Sequence, residues 1–404
     1  MKCHYTRLLQ TALLLIQTPI ALATTTWYVN GVNGYDGNNC KSPLTACRTV
    51  GQAISLASSG DAITVAAATY HEHLTISVSL TVTGSGAVDT IIDGGGFFAQ
   101  SPGTIVAISS AAANVTLSNV TLQGGWIERG AGVNNRGTLT INNSVIRDNL
   151  AGGHGCGFGC VVRYGFGGGI YNTGTLTINR STISGNGAFG EGSGGGGVLN
   201  LGKLIINAST LSGNSTSGGI DLFNCPGCVA GGGGIANATT GTVAINNSTV
   251  AGNYGHLGAN ALEGGGIVSS GILSIHGSTV SGNVGGILGA ATLQNSIVAN
   301  NGSGGNCNGP VTSIFSLSSD GTCHLNGPGD RNNVNPRLGT LGNYGGPTQT
   351  IPLLSGSPAI DAGNPSGCTD GLGHLLKTDQ RGLPRPDTED RSGCDMGAYE
   401  RQGD

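Results

Sequence analysis

Apolar residues recur through the middle of this chain with period two, over stretches too short for helices and bounded by glycine. Six segments align without gaps: GTLTINNSVIRDN from Gly137, GTLTINRSTISGN from Gly174, GKLIINASTLSGN from Gly202, GTVAINNSTVAGN from Gly241, GILSIHGSTVSGN from Gly271 and GAATLQNSIVANN from Gly289. One apolar column runs Leu139, Leu176, Leu204, Val243, Leu273 and Ala291. A second runs Ile141, Ile178, Ile206, Ile245, Ile275 and Leu293, and a third, after a break, Ile146, Ile183, Leu211, Val250, Val280 and Val298. A glycine-rich element precedes each segment and supplies a fourth column: Val133, Ile170, Val198, Ile235, Ile267 and Ile287. All four are expected to face one interior.

The polar positions say where the chain turns. A pair such as Asn142-Asn143 or Asn246-Asn247 separates the second and third columns, and Asn tolerates the left-handed turn conformation better than most residues. Every segment ends in Asn (Asn149, Asn186, Asn214, Asn253, Asn283, Asn301), so stacked turns can join these side chains into a ladder. Three short strands per repeat, joined by turns, predict an all-β fold: a right-handed parallel β-helix, that is, a three-sheet β-solenoid with coils ~4.8 Å apart. The starts of the segments lie between 18 and 39 residues apart. Nearly all that variation falls between the terminal Asn and the next glycine run, so insertions should emerge on one side.

The ends of the chain depart from the repeat. Lys2 and Arg7 precede an apolar run from Leu8 to Ile16, and Ala21-Leu22-Ala23 offers a small-x-small cleavage pattern, so residues 1–23 read as an export signal. Thr49 is placed to cap a short helix with Val50, Ala53, Ile54 and Ala57 on one face, covering the first open edge of the solenoid. The solenoid is expected over 24–333. From 334 to 404 the repeat gives way to proline and charge, which reads as a C-terminal cap.

Composition narrows the class. The 404 residues include 76 glycines but only 13 prolines, with 9% charged and 4% aromatic residues. No Gly-X-Y triplet persists, which removes collagen, and the regular alternation removes disorder. A net charge of −4 without charge runs gives no footprint for nucleic acid, and no mature segment is apolar enough to span a membrane.

Of the 11 cysteines, Cys3 belongs to the export signal and ten remain in close pairs: Cys40 and Cys47, Cys156 and Cys160, Cys225 and Cys228, Cys307 and Cys323, Cys368 and Cys394. An even count behind an export signal points to disulfides and an oxidising compartment. Cross-pairing among Cys156, Cys160, Cys225 and Cys228 stays open.

The repeats resemble right-handed β-helix proteins of the pectate-lyase-like superfamily. Their Gly-Gly-x-Ile and Ser-x-Ile-x-x-Asn elements are also similar to chlamydial polymorphic outer-membrane protein repeats. Leu341-Gly342-Asn343-Tyr344-Gly345-Gly346-Pro347-Thr348, Ser357-Pro358-Ala359-Ile360-Asp361-Ala362-Gly363, Thr378-Asp379-Gln380-Arg381-Gly382 and Cys394-Asp395-Met396-Gly397-Ala398-Tyr399-Glu400 are similar to the choice-of-anchor Q region of bacterial surface proteins. This resemblance implies a secreted or cell-surface protein.

Polysaccharide lyases and hydrolases on such a scaffold need clustered carboxylates, calcium ligands or an arginine base. Between Ala131 and Pro310 the acids are Asp148, Glu191, Asp221 and Glu263, at unmatched coil positions. His154 reads as a loop residue, His71 and His73 as strand histidines with Glu72 opposite, and Asp361, Asp379, Arg381, Asp395 and Glu400 as buried ion pairs and turn contacts. No catalytic residue, metal site or cofactor is therefore assigned. The expectation is a monomeric scaffold that binds an extracellular glycan or surface protein through loops 150–166, 215–230 and 254–263. Phe158, Arg163, Tyr164, Phe223, Tyr254 and His256 are its candidate contacts, because aromatic and basic residues are scarce elsewhere in the repeats. The alternative is a carbohydrate-active enzyme with a nonstandard site.

Overall fold

A computed structural model describes residues 24–96, 102–152, 164–190, 192–217, 231–256, 264–387 and 393–403. Its ladders are parallel throughout the solenoid, and the period-two columns pair in the expected register: Leu139 with Leu176 and Leu204, Ile146 with Ile183 and Leu211, Val133 with Ile170 and Val198. Three sheets of eleven, ten and nine strands run the length of the molecule. Their inward residues form one apolar cluster from Trp27 to Leu325, so the interior is continuous. Among the described residues antiparallel bridges occur only beyond Val334, for example Leu338 with Leu353.

The expected three-sheet coil is incomplete. A fourth sheet of five strands follows the ten-stranded one, built from Trp126–Ile127, Leu150–Ala151, Gly187–Phe189, Ser215–Ser217 and Tyr254–His256. Its column Ala151, Ala188, Thr216, Gly255 is buried, yet contains no large side chain. Small residues suffice there because the coil closes on itself. A Cβ on Gly168, Gly196 or Gly233, at the start of a coil, would meet the carbonyl oxygen of Gly187, Ser215 or Tyr254, at its end, within 2.1–2.3 Å. Glycine is required wherever backbone meets backbone this closely.

Two polar columns hold the coils in register. Asn149 donates through Nδ2 to Asn186 Oδ1 at 3.0 Å, and the ladder continues through Asn214, Asn253, Asn283, Asn301 and Asn306 in the same sense. A second runs Asn135, Asn172, Asn200, Asn237 at the end of the nine-stranded sheet. Every rung but the half-buried Asn301 is buried, and each amide also bonds backbone, so these polar groups are satisfied in a dry stack.

Both ends of the solenoid are covered. Helix α1 (Val50–Leu56) buries Val50 and Ala53 against the first coil, with Thr49 as its cap. Glu72 receives the backbone N–H groups of Val50 and Gly51 at 2.8 and 2.7 Å. At the other end the Cys307–Cys323 disulfide and Leu325 join the interior, and Arg331 pairs with Leu317.

The segment from 334, expected to cap that end, packs through its described residues along the outside of the ten-stranded sheet. Its outward residues Ile297, Ala299 and Leu317 form a second apolar cluster with Leu353, Ala359 and Met396. Further back, Thr210, Thr249 and Thr279 hydrogen-bond the segment at Gln349, Gln380 and Ala398. The segment is a flank rather than an end cap because those outward columns are less polar than a solvent face requires. No described helix is long and apolar enough to cross a membrane.

Candidate binding face

The loops singled out in the sequence leave the coil at one place, between the five-stranded and nine-stranded sheets. Their starting strands pair in register: Leu150 with Gly187, Gly187 with Ser215, Ser215 with Tyr254. Their returning ends pair too, Arg129 with Phe166, Phe166 with Gly194 and Gly194 with Gly231. Both stumps of successive insertions are thus stacked one coil apart on one side of the solenoid.

An aromatic patch occupies these stumps. Tyr164 stacks on Phe166 with centroids 6.2 Å apart and planes 18° apart. The Arg129 guanidinium stands 5.5 Å from the Phe166 ring centre and 5.9 Å from that of Tyr171. Phe166, only 3% exposed, packs on Leu199 and Ala236, outward-facing residues of the nine-stranded sheet, so the sheet face beneath the patch is apolar. Alongside, Phe189 and Tyr254 are 39% and 47% exposed in the five-stranded sheet. Flat aromatic rims of this kind suit the C–H faces of sugar rings or apolar side chains.

Of the candidate contacts, Tyr164 and Tyr254 lie on this patch, and His256 follows Tyr254 two residues on in the same strand. Phe158, Arg163 and Phe223 lie outside the described residues, as do His154, Glu191, Asp221, Glu263 and Cys156, Cys160, Cys225 and Cys228. Arg129, Phe166, Tyr171 and Phe189 were missed. Aligning the chain on the fourth apolar column finds two of them: Arg129 and Phe166 sit four residues before Val133 and Ile170, where the next two coils have Gly194 and Gly231.

The other candidate clusters resolve into structure. Residues 71–73 link two strands rather than lying in one; Glu72 caps helix α1 and His73 Nδ1 lies 3.0 Å from the Thr104 carbonyl oxygen. In the flank, Arg381 pairs with Asp379 at 2.7 Å and lies 3.6 Å from the Tyr399 ring centre, while Arg385 pairs with Glu400 at 2.7 Å. Asp395 accepts the backbone N–H groups of Asp361 and Arg401. Asp361 gives only its backbone, with its side chain at the surface. Burial pushes Glu400 up to about 8, against the pull of Arg385 and with the Asp395 charge adding to the rise. Asp148 is exposed beside Arg147. Among the described residues no three His, Cys, Asp or Glu side chains gather as a metal-holding group. Disulfides join Cys40 to Cys47, Cys307 to Cys323 and Cys368 to Cys394.

No protein-family model and no curated protein matches the chain. Among solved structures it is similar to the pectate lyase Pel9A, at 16% identity, with 95% of this chain and 98% of that one covered and a TM-score of 0.55. Lesser likenesses are to a rhamnogalacturonan lyase (11% identity, 82% and 96% covered, TM-score 0.41) and a pectin methylesterase from Aspergillus niger (15% identity, 77% and 86% covered, TM-score 0.37). At these identities the first likeness establishes the fold, a right-handed parallel β-helix of the pectate-lyase kind, and nothing of the chemistry.

Proposed function

We propose that this chain is an exported, noncatalytic scaffold that binds an extended extracellular glycan, or a surface protein, along its loop-bearing side. The observation that carries this reading is the coil-by-coil stacking of the loop stumps with the aromatic patch of Tyr164, Phe189 and Tyr254, which Phe166 supports from beneath. A rigid solenoid repeats a contact every ~4.8 Å, a spacing suited to a polymer lying along its axis. The three disulfides among the described residues and the signal-like pattern of residues 1–23 support export to an oxidising compartment. Attachment by a choice-of-anchor Q region belongs to the same proposal.

A glycan array probed with the full chain and with variants shortened in loops 153–163, 218–230 and 257–263 tests the reading. Binding that weakens while thermal unfolding stays unchanged supports it; binding indifferent to the loops sinks it. The pectate lyase fold favours a second reading, a polysaccharide-cleaving enzyme. Chain cleavage abolished by replacing one carboxylate would establish that reading instead.

A further inference from the structure

Between the long and the ten-stranded sheets, each coil puts one residue into the left-handed conformation: Asn143, Arg180, Ala208, Asn247, Gly277 and Asn295. Asn and Gly suit that position. Arginine does not, and Arg180 holds a φ of 47° there. Its side chain is exposed, and among the described residues it makes no ion pair or hydrogen bond. The fold therefore supplies no reason for a cation at this turn.

Arg180 stands on the rim of a cleft of about 250 Å³ between the turn and the flank. One wall carries the amides of Asn179 and Asn207, rungs of a half-buried surface ladder in which Asn207 Nδ2 donates to Asn179 Oδ1 at 2.9 Å and Asn179 Nδ2 to Asn142 Oδ1. Each amide spends one N–H there and keeps a second. The opposite wall carries Thr378, Asp379, Gln380 and Arg381. Asp379 and Arg381 neutralise each other, and Asp379 also accepts the Leu383 and Glu400 N–H groups, so this wall adds no net charge. Among the described residues the cleft is left with one free cation, unspent amide donors and the volume of a single ring, below the ~300–1,000 Å³ of pockets for larger ligands.

We propose that this cleft is a second binding site, specific for one acidic sugar residue. Its carboxylate sits on the Arg180 fork, the bidentate match for a planar anion. The ring hydroxyls sit on Asn179 and Asn207, which both donate and accept. The site lies on the turn before the ten-stranded sheet, whereas the loops leave after the five-stranded sheet, so it stands or falls separately from the proposed polymer face.

Titration of the full chain with glucuronate, glucose, acetate and sulfate, followed by calorimetry, tests the assignment. Saturable glucuronate binding is expected, with glucose and acetate each much weaker. Arg180→Asn, which installs the residue found at Asn143 and Asn247, should keep the fold and weaken glucuronate about tenfold or more. Arg180→Lys should fall between. The variants shortened in the loops should bind glucuronate as the full chain does. Absence of saturable binding, or binding unchanged in Arg180→Asn, overturns the site. Acetate or sulfate binding as tightly as glucuronate overturns its sugar specificity.

Discussion

The side-chain amide of Gln380 lies 2.9 Å from Thr210 Oγ1, across 170 residues of chain. The same amide is within reach of Thr348 Oγ1 and the Gln349 carbonyl, and its oxygen accepts from Thr249 Oγ1 at 2.6 Å. Gln380 is 1% exposed, so this one side chain ties two coils to the flank in a dry contact. Gln380→Leu should leave buried hydroxyls short of partners and cost about 1–3 kcal/mol. Denaturant unfolding measures the loss, and limited proteolysis should show cuts appearing first within 334–403.

Asn214 is a central rung of the inner ladder. It accepts from the backbone and side chain of Asn186 and donates to Asn253 Oδ1 and the Ile183 carbonyl. Asn214→Leu orphans groups on both neighbours and should destabilise by about 2–5 kcal/mol, more than the loss of any single exposed polar side chain. Chemical unfolding gives the magnitude. A cost under ~1 kcal/mol would mean that the ladder adds little beyond the backbone pairing.

Stability should respond to pH through two groups, one beneath the flank and one within it. His276 stands where the neighbouring coil has Asn246, is 6% exposed, and neither ring nitrogen has a well-formed hydrogen bond. Burial holds it below its ordinary 6.5, outweighing the neighbouring Gln294 and Asp370. The unfolded chain then binds the extra proton, so this contribution is lost as pH falls below 6.5. Glu400 behaves oppositely: its folded value of about 8 lies above the ordinary 4.5, so its contribution is present in acid and lost as pH rises through about 8. His276→Asn should remove the acid-side loss and Glu400→Gln the alkaline-side one, both read from Tm against pH.

Phe189 and Tyr254 are too exposed to matter much for folding. Replacing both by Ala should move stability by only ~0.5 kcal/mol each, while weakening glycan or protein capture at the loop face. Equal capture by the double variant would remove the aromatic patch from the binding surface.

The solenoid was legible because Ile141, Ile178 and Ile206 can face only inward once alternation sets the pleat, and because Asn or Gly at most of the turns advertises a conformation few residues accept. The five-stranded sheet with its column Ala151, Ala188, Thr216 and Gly255 was not, since small and mixed residues leave no periodic signal. The flank contacts were hidden for another reason. Thr210 and Thr249 look like ordinary outward strand residues, and nothing local tells that Gln380 will bury them. Of the binding face, Tyr164 and Tyr254 stood out as rare aromatics, whereas Arg129 earns its place only through a ring supplied by the next coil.

Most solenoids are zippers: each turn needs only its neighbour, and the chain can fray or grow one turn at a time. Here Gln349 and Gln380 clasp the turns bearing Thr210 and Thr249, which leave the ribosome long before the clasp itself exists. Those middle turns must therefore stand alone during synthesis and export, held by their stacked amides. Only when the flanking segment closes over them does the zipper acquire a lock, turning a sequentially stable rod into a body that opens as one.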